Sequence, residues 1–570
     1  MNYNSVFRIR FITFFVFLCI FIIICKLYYV QIAQGKEYRE KAQKQYVKPQ
    51  TEVFERGSIF FTSKDSVRIA AATVKEGYTV SINPKFITNP IQVYEALSQY
   101  LNIDKDLFIG KAGKIDDSYE EIQKKVGYEL GNSINALRIP GVNVSKENWR
   151  VYPADSLAAH TIGLVGYGKE NVLAGQYGLE SYYDDILSRK DANSSINFFA
   201  ELFSGIKKSV FNDDVEEGDI VTSIEPTVES YLEKILQDTK EKWDSDSIGG
   251  IIMDPKSGEI YAMAGLPAFN PNNLSDIKDP LIFSNSLVES SYEMGSIIKP
   301  LSMAAGIDSG AITAKSTYND EGFLNLSGRK ISNYDGVARG IIPMQEVLSQ
   351  SLNVGAATIA LKTGADTFSD YFLKLGFGEI TGIDEPNEQK GIIKSLITKR
   401  DIEIATASYG QGIAMTPIQT IRALSVLANG GLLVTPHIAE TVEYGDGTSK
   451  EIAFAESKQV LKNETIEDVT HMLVNVVDKA LRKGEVKMER YSIAAKTGTA
   501  QIADPVNGGY YDDRYLHSFF GYFPAYNPKF IVFLYHVYPK NVDYASETLV
   551  DPFIELVKLL INYYEIPPDR

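Results

Sequence analysis

Three short motifs stand in order along the second half of the chain: Ser296-Ile297-Ile298-Lys299, Ser351-Leu352-Asn353 and Lys496-Thr497-Gly498-Thr499. Together they supply a serine nucleophile, a lysine able to act as its base, and a second lysine beside two hydroxyls. That is equipment for acyl transfer without a catalytic histidine. S-x-x-K and S-x-N each arise by chance in a chain of 570 residues. The ordered trio, each member in a suitable local context, is the signal.

Ser296 follows Gly295 and opens an apolar stretch that runs to Ala305. Pro300 is tolerated only in a first helical turn, so it predicts a helix start close to Ser296. Residues i and i+3 share a helix face, which places Lys299 beside the Ser296 hydroxyl. The helix N-terminus also favours negative charge developing there. A lysine serves as a base at neutral pH only if its pKa falls from about 10.4 toward 7 to 8, a shift of roughly 4 kcal/mol. Burial beside a second cation supplies such a shift, and Lys496 is the candidate cation. Alone, this motif reads as a capping serine and a surface lysine.

The stretch Val347–Ala360 has a helical pattern, predicted to be interrupted at Asn353 and Gly355. The Ser351 hydroxyl can relay a proton between Lys299 and a leaving amine, and the Asn353 carboxamide can hydrogen-bond a substrate amide. Alone, the motif reads as a capping or turn cluster. Lys496 follows Tyr491–Ala495, a predicted strand. Gly498 has no Cβ, so a substrate backbone can approach it closely. Lys496, Thr497 and Thr499 then present a cation and two hydroxyls to a carboxylate. Alone, this is a turn at a strand end.

The elements around these motifs predict an antiparallel sheet covered by helices. Asp219–Ile224 reads as a strand and Thr227–Lys242 as a helix, with Pro226 just before it. Gly249–Met253 and Glu259–Ala264, separated by Asp254-Pro255-Lys256-Ser257-Gly258, read as a hairpin. Ser518–Tyr522 and Phe530–Tyr535 repeat that pattern, and Leu549–Tyr564 reads as a closing helix. Upstream, Tyr78–Asn83 reads as a strand, and Ile91–Tyr100 and Asp117–Glu129 as helices. No nucleophile–base pair or phosphate loop is evident there, so that region reads as a spacer or docking module.

At the N-terminus, Arg8 and Arg10 precede an apolar run from Phe11 to Cys25, which resumes after Lys26 through Leu27–Ala33. The run lacks a clean small-residue cleavage site, so it reads as an uncleaved signal anchor rather than a removable signal peptide. Lys26 can snorkel, and Tyr28 and Tyr29 suit the membrane interface. The arginines place the tip in the cytoplasm and the rest outside. Gly35–Tyr46 reads as a helix leaving the membrane.

The only cysteines, Cys19 and Cys25, lie in this run, so the external part folds without disulfides. The five histidines show no metal-ligand spacing, and no metal site is expected. A net charge of −16 argues against a nucleic-acid partner. An acidic stretch, Asp213–Gly218, marks the predicted domain boundary.

The chain resembles the class B penicillin-binding proteins. Besides the three motifs, Met253-Asp254-Pro255-Lys256-Ser257-Gly258-Glu259-Ile260 resembles the family's hairpin before the nucleophile. Tyr292-Glu293-Met294-Gly295-Ser296 is similar to Y-E-P-G-S, with Met294 in place of proline. Ser408-Tyr409-Gly410-Gln411-Gly412, Thr416-Pro417, Ala428-Asn429-Gly430-Gly431 and His517-Ser518-Phe519-Phe520-Gly521 follow in the family's order. In the first half, Arg56-Gly57-Ser58-Ile59, Arg150-Val151-Tyr152-Pro153, His160 with Gly163–Gly166, and Gly178-Leu179-Glu180 resemble the family's pedestal domain. The Asp-Arg-Asn-Gly stretch usual there is absent.

The resemblance implies an α+β fold in three parts: a tip and transmembrane anchor (1–35), an elongated pedestal of dimerisation type (36–215), and a penicillin-recognising transpeptidase domain (216–570). It implies a D,D-transpeptidase that cross-links peptidoglycan stem peptides without a cofactor, with a septal role favoured over a lateral-wall one. Ser296 would attack the penultimate D-Ala carbonyl, Lys299 would take its proton, and Ser351 would pass it to the leaving amine. Asn353 would hold the donor amide, and Lys496, Thr497, Gly498 and Thr499 would receive the terminal carboxylate. The backbone N–H groups of Ser296 and Thr499 would form the oxyanion hole. β-Lactams would acylate Ser296, and a polytopic membrane glycan polymerase would be the working partner. A β-lactamase, a β-lactam sensor and a non-catalytic division scaffold are the alternatives.

Overall fold

The computed structural model describes residues 54–168, 173–189, 217–275 and 277–570, together with Lys26. Apart from Lys26, the apolar N-terminal run, the Gly35–Tyr46 segment and most of the acidic boundary lie outside these residues. No helix among the described residues is long and apolar enough to cross a membrane.

The described chain forms two compact units, one made by Glu76–Asn148 and the other by Glu55–Lys75 with Trp149–Arg570. In the smaller unit, the end of strand Arg68–Ile82 pairs antiparallel with Glu120–Gly127, placing Gly77 opposite Gly127 and Ile82 opposite Glu120. Helices Pro90–Ser98 and Lys105–Ala112 are capped by Asn89 and Asp104, whose side chains accept from Gln92 N and Leu107 N. Val80, Ile82, Leu97, Phe108, Val126 and Ile134 form the core. The helix expected over Asp117–Glu129 is instead this strand, with helix Tyr128–Ala136 following it. Its Glu and Lys residues are good intrinsic helix formers, but the edge of the neighbouring strand decides the conformation.

The larger unit is built on a five-stranded antiparallel sheet. Helix α1 (Pro226–Trp243) leads into β1 (Ser247–Met253) and β2 (Ile260–Leu266). Pro226 is the first helical residue, and the Glu225 side chain accepts from Val228 N at 2.7 Å. The hairpin pairs Ile251 with Met263. The chain then forms α2 (Lys299–Asp308) and α3 (Asn353–Thr363) before returning to the sheet. It re-enters as β3 (Ala494–Ala503), β4 (Tyr510–Phe523) and β5 (Phe530–Val537), and closes with α4 (Ala545–Thr548) and α5 (Val550–Tyr563). The strand order is β3-β4-β5-β1-β2, so β3 is an edge strand.

Strand alternation sorts side chains to two faces. Phe520, Phe533 and Ile251 pack with Ile297, Leu301 and the other helices of the middle region. Phe519, Leu534 and Ile248 pack with Leu232 of α1 and Phe553 of α5. His517 and His536 are distant in sequence but are cross-strand partners. Burial holds both imidazoles neutral, with pKa values pushed down to about 4 and about 3.

Two sequence expectations change here. The helical stretch over Val347–Ala360 is broken by Gln350, Ser351 and Leu352, between helix Gln345–Ser349 and α3, and not at Asn353 or Gly355. Gly355 lies inside α3, where a Cβ would come within 2.4 Å of Val347 Cγ2. The Lys496 motif lies within β3 rather than beyond a strand's end, because glycine is tolerated where another backbone packs closely.

Three pedestal-like motifs, far apart in sequence, meet in one ionic cluster of the larger unit. Arg56 Nε donates to Glu180 Oε2 at 2.6 Å and its Nη1 to Asp184 at 2.7 Å. Arg150 Nε donates to Glu180 Oε1 at 2.6 Å, and its Nη1 reaches Gly57 O at 2.7 Å. Glu180 is wholly buried. Removing one partner of such a cluster strands charge in low dielectric. Glu180→Ala is therefore expected to destabilise the larger unit by about 3–5 kcal/mol, read as a fall in the denaturant midpoint of its unfolding.

Candidate active site

The nucleophile motif begins as a 3-10 turn, Gly295–Ile298, that runs straight into α2. In a 3-10 turn, side chains at i and i+3 eclipse, so Ser296 and Lys299 share one side. Pro300 is the second residue of α2, as its missing N–H requires. Ser296 is half-buried, whereas Lys299 is fully buried.

Backbones replace side chains where this turn meets β3. Gly295 has φ +63°, and a Cβ there would lie 2.7 Å from Thr499 O. A Cβ on Gly498 would lie 2.7 Å from Met294 O and 2.3 Å from Ser518 Oγ, which itself donates to Met294 O at 2.7 Å. The Thr499 carbonyl thus faces the nucleophile turn. In an antiparallel strand a residue's N–H points to the same side as its C=O. The Thr499 N–H therefore also faces the open edge of β3, beside Ser296.

The two lysines converge on Ser351. Lys299 Nζ donates to Ser351 O at 2.5 Å and to Ser351 Oγ at 3.2 Å. Lys496 Nζ donates to the same Oγ at 3.0 Å and to Thr497 O at 2.9 Å. Ser351 has φ +57°, a left-handed conformation that costs a non-glycine residue on the order of 1 kcal/mol. That turn delivers both its carbonyl and its hydroxyl to Lys299. Burial first, and then the nearby Lys496 charge, pushes Lys299 well below its ordinary pKa of 10.5. Burial lowers Lys496 to about 7. Among the described residues, no hydrogen bond joins the Ser296 hydroxyl to Lys299. The lysine is held by Ser351 instead.

Asn353 is the first residue of α3, and its Nδ2 donates to Ser332 O at 3.1 Å. This fixes the carboxamide so that Oδ1 remains its acceptor. Asn333, next along, accepts from Val354 N at 3.1 Å and locks α3 to the same loop.

The threonines are placed differently from Lys496. Lys496 lies opposite Phe520, on the face of the nucleophile, and Thr497 lies opposite Phe519, on the other face. Thr499 shares that second face, and its Oγ1 accepts from Ala545 N of α4 at 3.2 Å. A hydroxyl that accepts still keeps its own proton to donate. The structure therefore brings together Ser296, Lys299, Ser351, Lys496 and Gly498, with Asn353 along the same wall. The Thr497 and Thr499 side chains sit at the far side of the edge strand.

Three supporting residues had been read only as parts of motifs. Gly410 has φ +80°, its carbonyl accepts from Gly295 N at 3.1 Å, and a Cβ there would lie 2.2 Å from Gly295 O. Ser518 anchors Met294, as described above. Glu293 accepts from Gly412 N and from Tyr510 OH, each at 3.1 Å. The spacing Glu293–Ser296 and the clustered glycines 410 and 412 were the available signals. Their meeting across more than a hundred residues was not visible in sequence.

Because Gly498 has backbone on one side and Ser518 on the other, Gly498→Ala is expected to overpack this junction by about 1–3 kcal/mol. The denaturant midpoint should fall accordingly. Ala500→Gly, one turn of the pleat further on, should lack this overpacking effect.

Residues 248–555 match the penicillin binding protein transpeptidase domain, and residues 54–201 match the penicillin-binding protein dimerisation domain. Stage V sporulation protein D of Bacillus subtilis is 30% identical over 560 residues, covering 96% of this chain and 84% of that protein. Peptidoglycan D,D-transpeptidase FtsI of Buchnera aphidicola is 27% identical, covering 98% of this chain and 96% of that one. The fold is also that of penicillin binding protein 3 from Mycobacterium tuberculosis, solved with aztreonam. Its TM-score is 0.68 at 22% identity, covering 91% of this chain and 98% of that one. With the lysine–serine–lysine cluster intact at its centre, the chain belongs to the class B penicillin-binding proteins and is a serine-type peptidoglycan D,D-transpeptidase.

Proposed function

We propose that Ser296 forms the acyl-enzyme of a single-span membrane protein that cross-links peptidoglycan stem peptides, working at the division septum. One observation carries this reading: two buried lysines bond the same Ser351 hydroxyl at 3.2 and 3.0 Å, beside the Ser296 turn. Neutral Lys299 accepts the Ser296 proton as Ser296 Oγ bonds to the penultimate D-Ala carbonyl carbon. The C=O π electrons move onto the D-Ala carbonyl oxygen, and the negative charge there is met by the N–H groups of Ser296 and Thr499. The proton then passes through Ser351 to the amine of the terminal D-Ala as the C–N bond breaks. An acceptor amine attacks the ester, loses its proton along the same path, and returns Ser296 to its hydroxyl form.

Asn353 Oδ1 accepts from the donor amide. Lys496 attracts the carboxylate, Thr497 and Thr499 border it through the edge of β3 rather than through side chains on the Lys496 face, and Gly498 lets the peptide lie against β3. β-Lactams enter the same way and acylate Ser296. The functional parts run 1–35 as anchor, 36–215 as pedestal and 216–570 as transpeptidase domain. The flanking arginines Arg8 and Arg10 and the apolar run from Phe11 support the anchor, with the catalytic domain outside the cytoplasmic membrane. A polytopic glycan polymerase is the partner that supplies nascent strands.

Intact-mass measurement of the protein with a fluorescent penicillin tests the nucleophile. Wild type is expected to carry one stable adduct and Ser296→Ala none. An adduct on both would move the nucleophile elsewhere, and none on folded wild type would favour a scaffold.

The pH dependence follows from the lysines. Lys299 loses its function as base as pH falls through its depressed pKa. Lys496 loses its cation as pH rises through about 7 in the free enzyme. The second-order acylation rate should therefore be bell-shaped. In Lys496→Arg the alkaline limb should move to higher pH, because guanidinium stays charged.

A further inference from the structure

Both lysines close on Ser351, yet its turn has no local support of the usual kind. Helix α3 starts just after it with Leu352 at the capping position, wholly buried and making no side-chain cap. Ser351 itself has φ +57°, against the preference of its own backbone. In the proposed chemistry Lys299 gains and loses a proton, so its bonds to Ser351 change during the reaction. Steady support comes from outside the motif, at both ends. On the C-terminal side, the Val354 N–H in the first turn of α3 donates to Asn333 Oδ1 at 3.1 Å. On the N-terminal side, Gln350 Oε1 accepts from Arg339 Nε at 2.6 Å. Asp320 joins the two. Both its oxygens accept from Asn333 Nδ2 at 3.0 Å, and Oδ2 lies 3.8 Å from Arg339 Nη1. Gly322 N donates to Oδ1 at 3.2 Å, and the whole residue is buried. Strand Thr317–Asp320 pairs with Gly340–Pro343, and Arg339 N donates to Asp320 O at 2.9 Å, so the backbone fixes Asp320 beside Arg339. A carboxylate only accepts, so it draws the Asn333 NH2 toward itself and turns the amide oxygen to Val354.

We propose that Asp320 is a positioning residue for acyl transfer: through Asn333 and Arg339 it brackets the Ser351 turn from both ends. This rests on Ser296 being the acylated residue and Lys299 its base. With the bracket in place, Ser351 O and Oγ stay on Lys299 Nζ and exclude water from it. Without it the strained turn relaxes and Lys299 regains solvent. Burial is the first cause of the depressed Lys299 pKa, and the facing Lys496 charge is the second. A hydrated Lys299 therefore holds its proton to higher pH, and the acid limb of the acylation profile moves up. Loss of the Asp320 charge alone acts the other way. Removing a nearby negative charge disfavours an ammonium, which would move that limb down. The direction of the shift separates position from charge.

The test is the pH dependence of second-order acylation by a fluorescent penicillin, followed by intact mass. It compares wild type, Asp320→Asn, Gln350→Ala and Glu180→Ala. Asparagine nearly matches aspartate in volume but can turn either oxygen or NH2 to Asn333, so packing is kept and the amide loses its direction. In Asp320→Asn the acid limb is expected to rise by about one pH unit, a roughly tenfold loss of rate along that limb. Gln350 is exposed, so Gln350→Ala cuts the other end of the bracket without burdening the fold. It should move the limb in the same direction. Glu180→Ala weakens the unit at its other ionic cluster and should leave the limb in place.

A limb that stays in place in both Asp320→Asn and Gln350→Ala would overturn the bracket. So would a shift to lower pH, which would leave Asp320 acting through its charge alone. An equal rise in Glu180→Ala would overturn it too, since stability and not position would then set the limb. Absence of any adduct on folded wild type would instead overturn the assignment of Ser296, on which the bracket rests.

Discussion

The whole site depends on keeping two lysine ammonium groups out of water around one hydroxyl. Lys299 and Lys496 both donate to Ser351 Oγ, and both are buried. Bonds of 3.2 and 3.0 Å to one oxygen hold the two nitrogens within about 6 Å of each other, and at an effective dielectric near 20 two like charges so placed repel by at least about 3 kcal/mol. That is on the order of two pKa units for one of them. Desolvation adds in the same direction for both. The pair therefore sheds a proton, and Lys299, with the deeper depression, is the one to lose it. In the proposed chemistry, a lysine that would be inert on a surface serves as the base, while its neighbour keeps the charge offered to a carboxylate.

Everything nearby serves to hold that pair in place. Gly295, Gly410 and Gly498 let three backbone segments close to distances a Cβ would forbid. Ser518 fastens the nucleophile turn from inside the sheet. The left-handed Ser351 is strained, and the bonds from both lysines hold it in that conformation. The sheet supplies the rigid floor, because β3 pairs within the sheet only with β4 and leaves its other edge, which carries the Thr499 N–H, facing the nucleophile turn. Fold and chemistry therefore meet at the edge strand.

Much of this was legible in the chain. Pro300 placed the start of the helix, Asp254 to Gly258 placed the hairpin, and the ordered motifs pointed to the residues that the fold gathers into one cluster. The failures share a cause, which is that local pattern does not report a distant partner. Glu120–Gly127 has helix-forming residues but pairs with a strand. Asn353 and Gly355 looked like breaks in a helix, but the break is at Ser351, where Lys299 and Lys496 wait on either side. Thr497 and Thr499 read as neighbours of the Lys496 ammonium, yet the period of two turns them to the opposite face. Glu293 and Tyr510 lie far apart in the sequence and meet only because the β3–β4 ribbon extends beyond the nucleophile turn.

The central claim is that burial beside Lys496 keeps Lys299 neutral at physiological pH. Carbon-13 labelling at lysine Cε, followed by NMR titration of the folded protein, measures this directly. The account predicts one resonance titrating far below the ordinary value of 10.5, absent in Lys299→Arg, and a second titrating near 7, absent in Lys496→Arg. If every lysine titrated near 10.5, the site would hold two full cations around Ser351, and the proposed base would not exist.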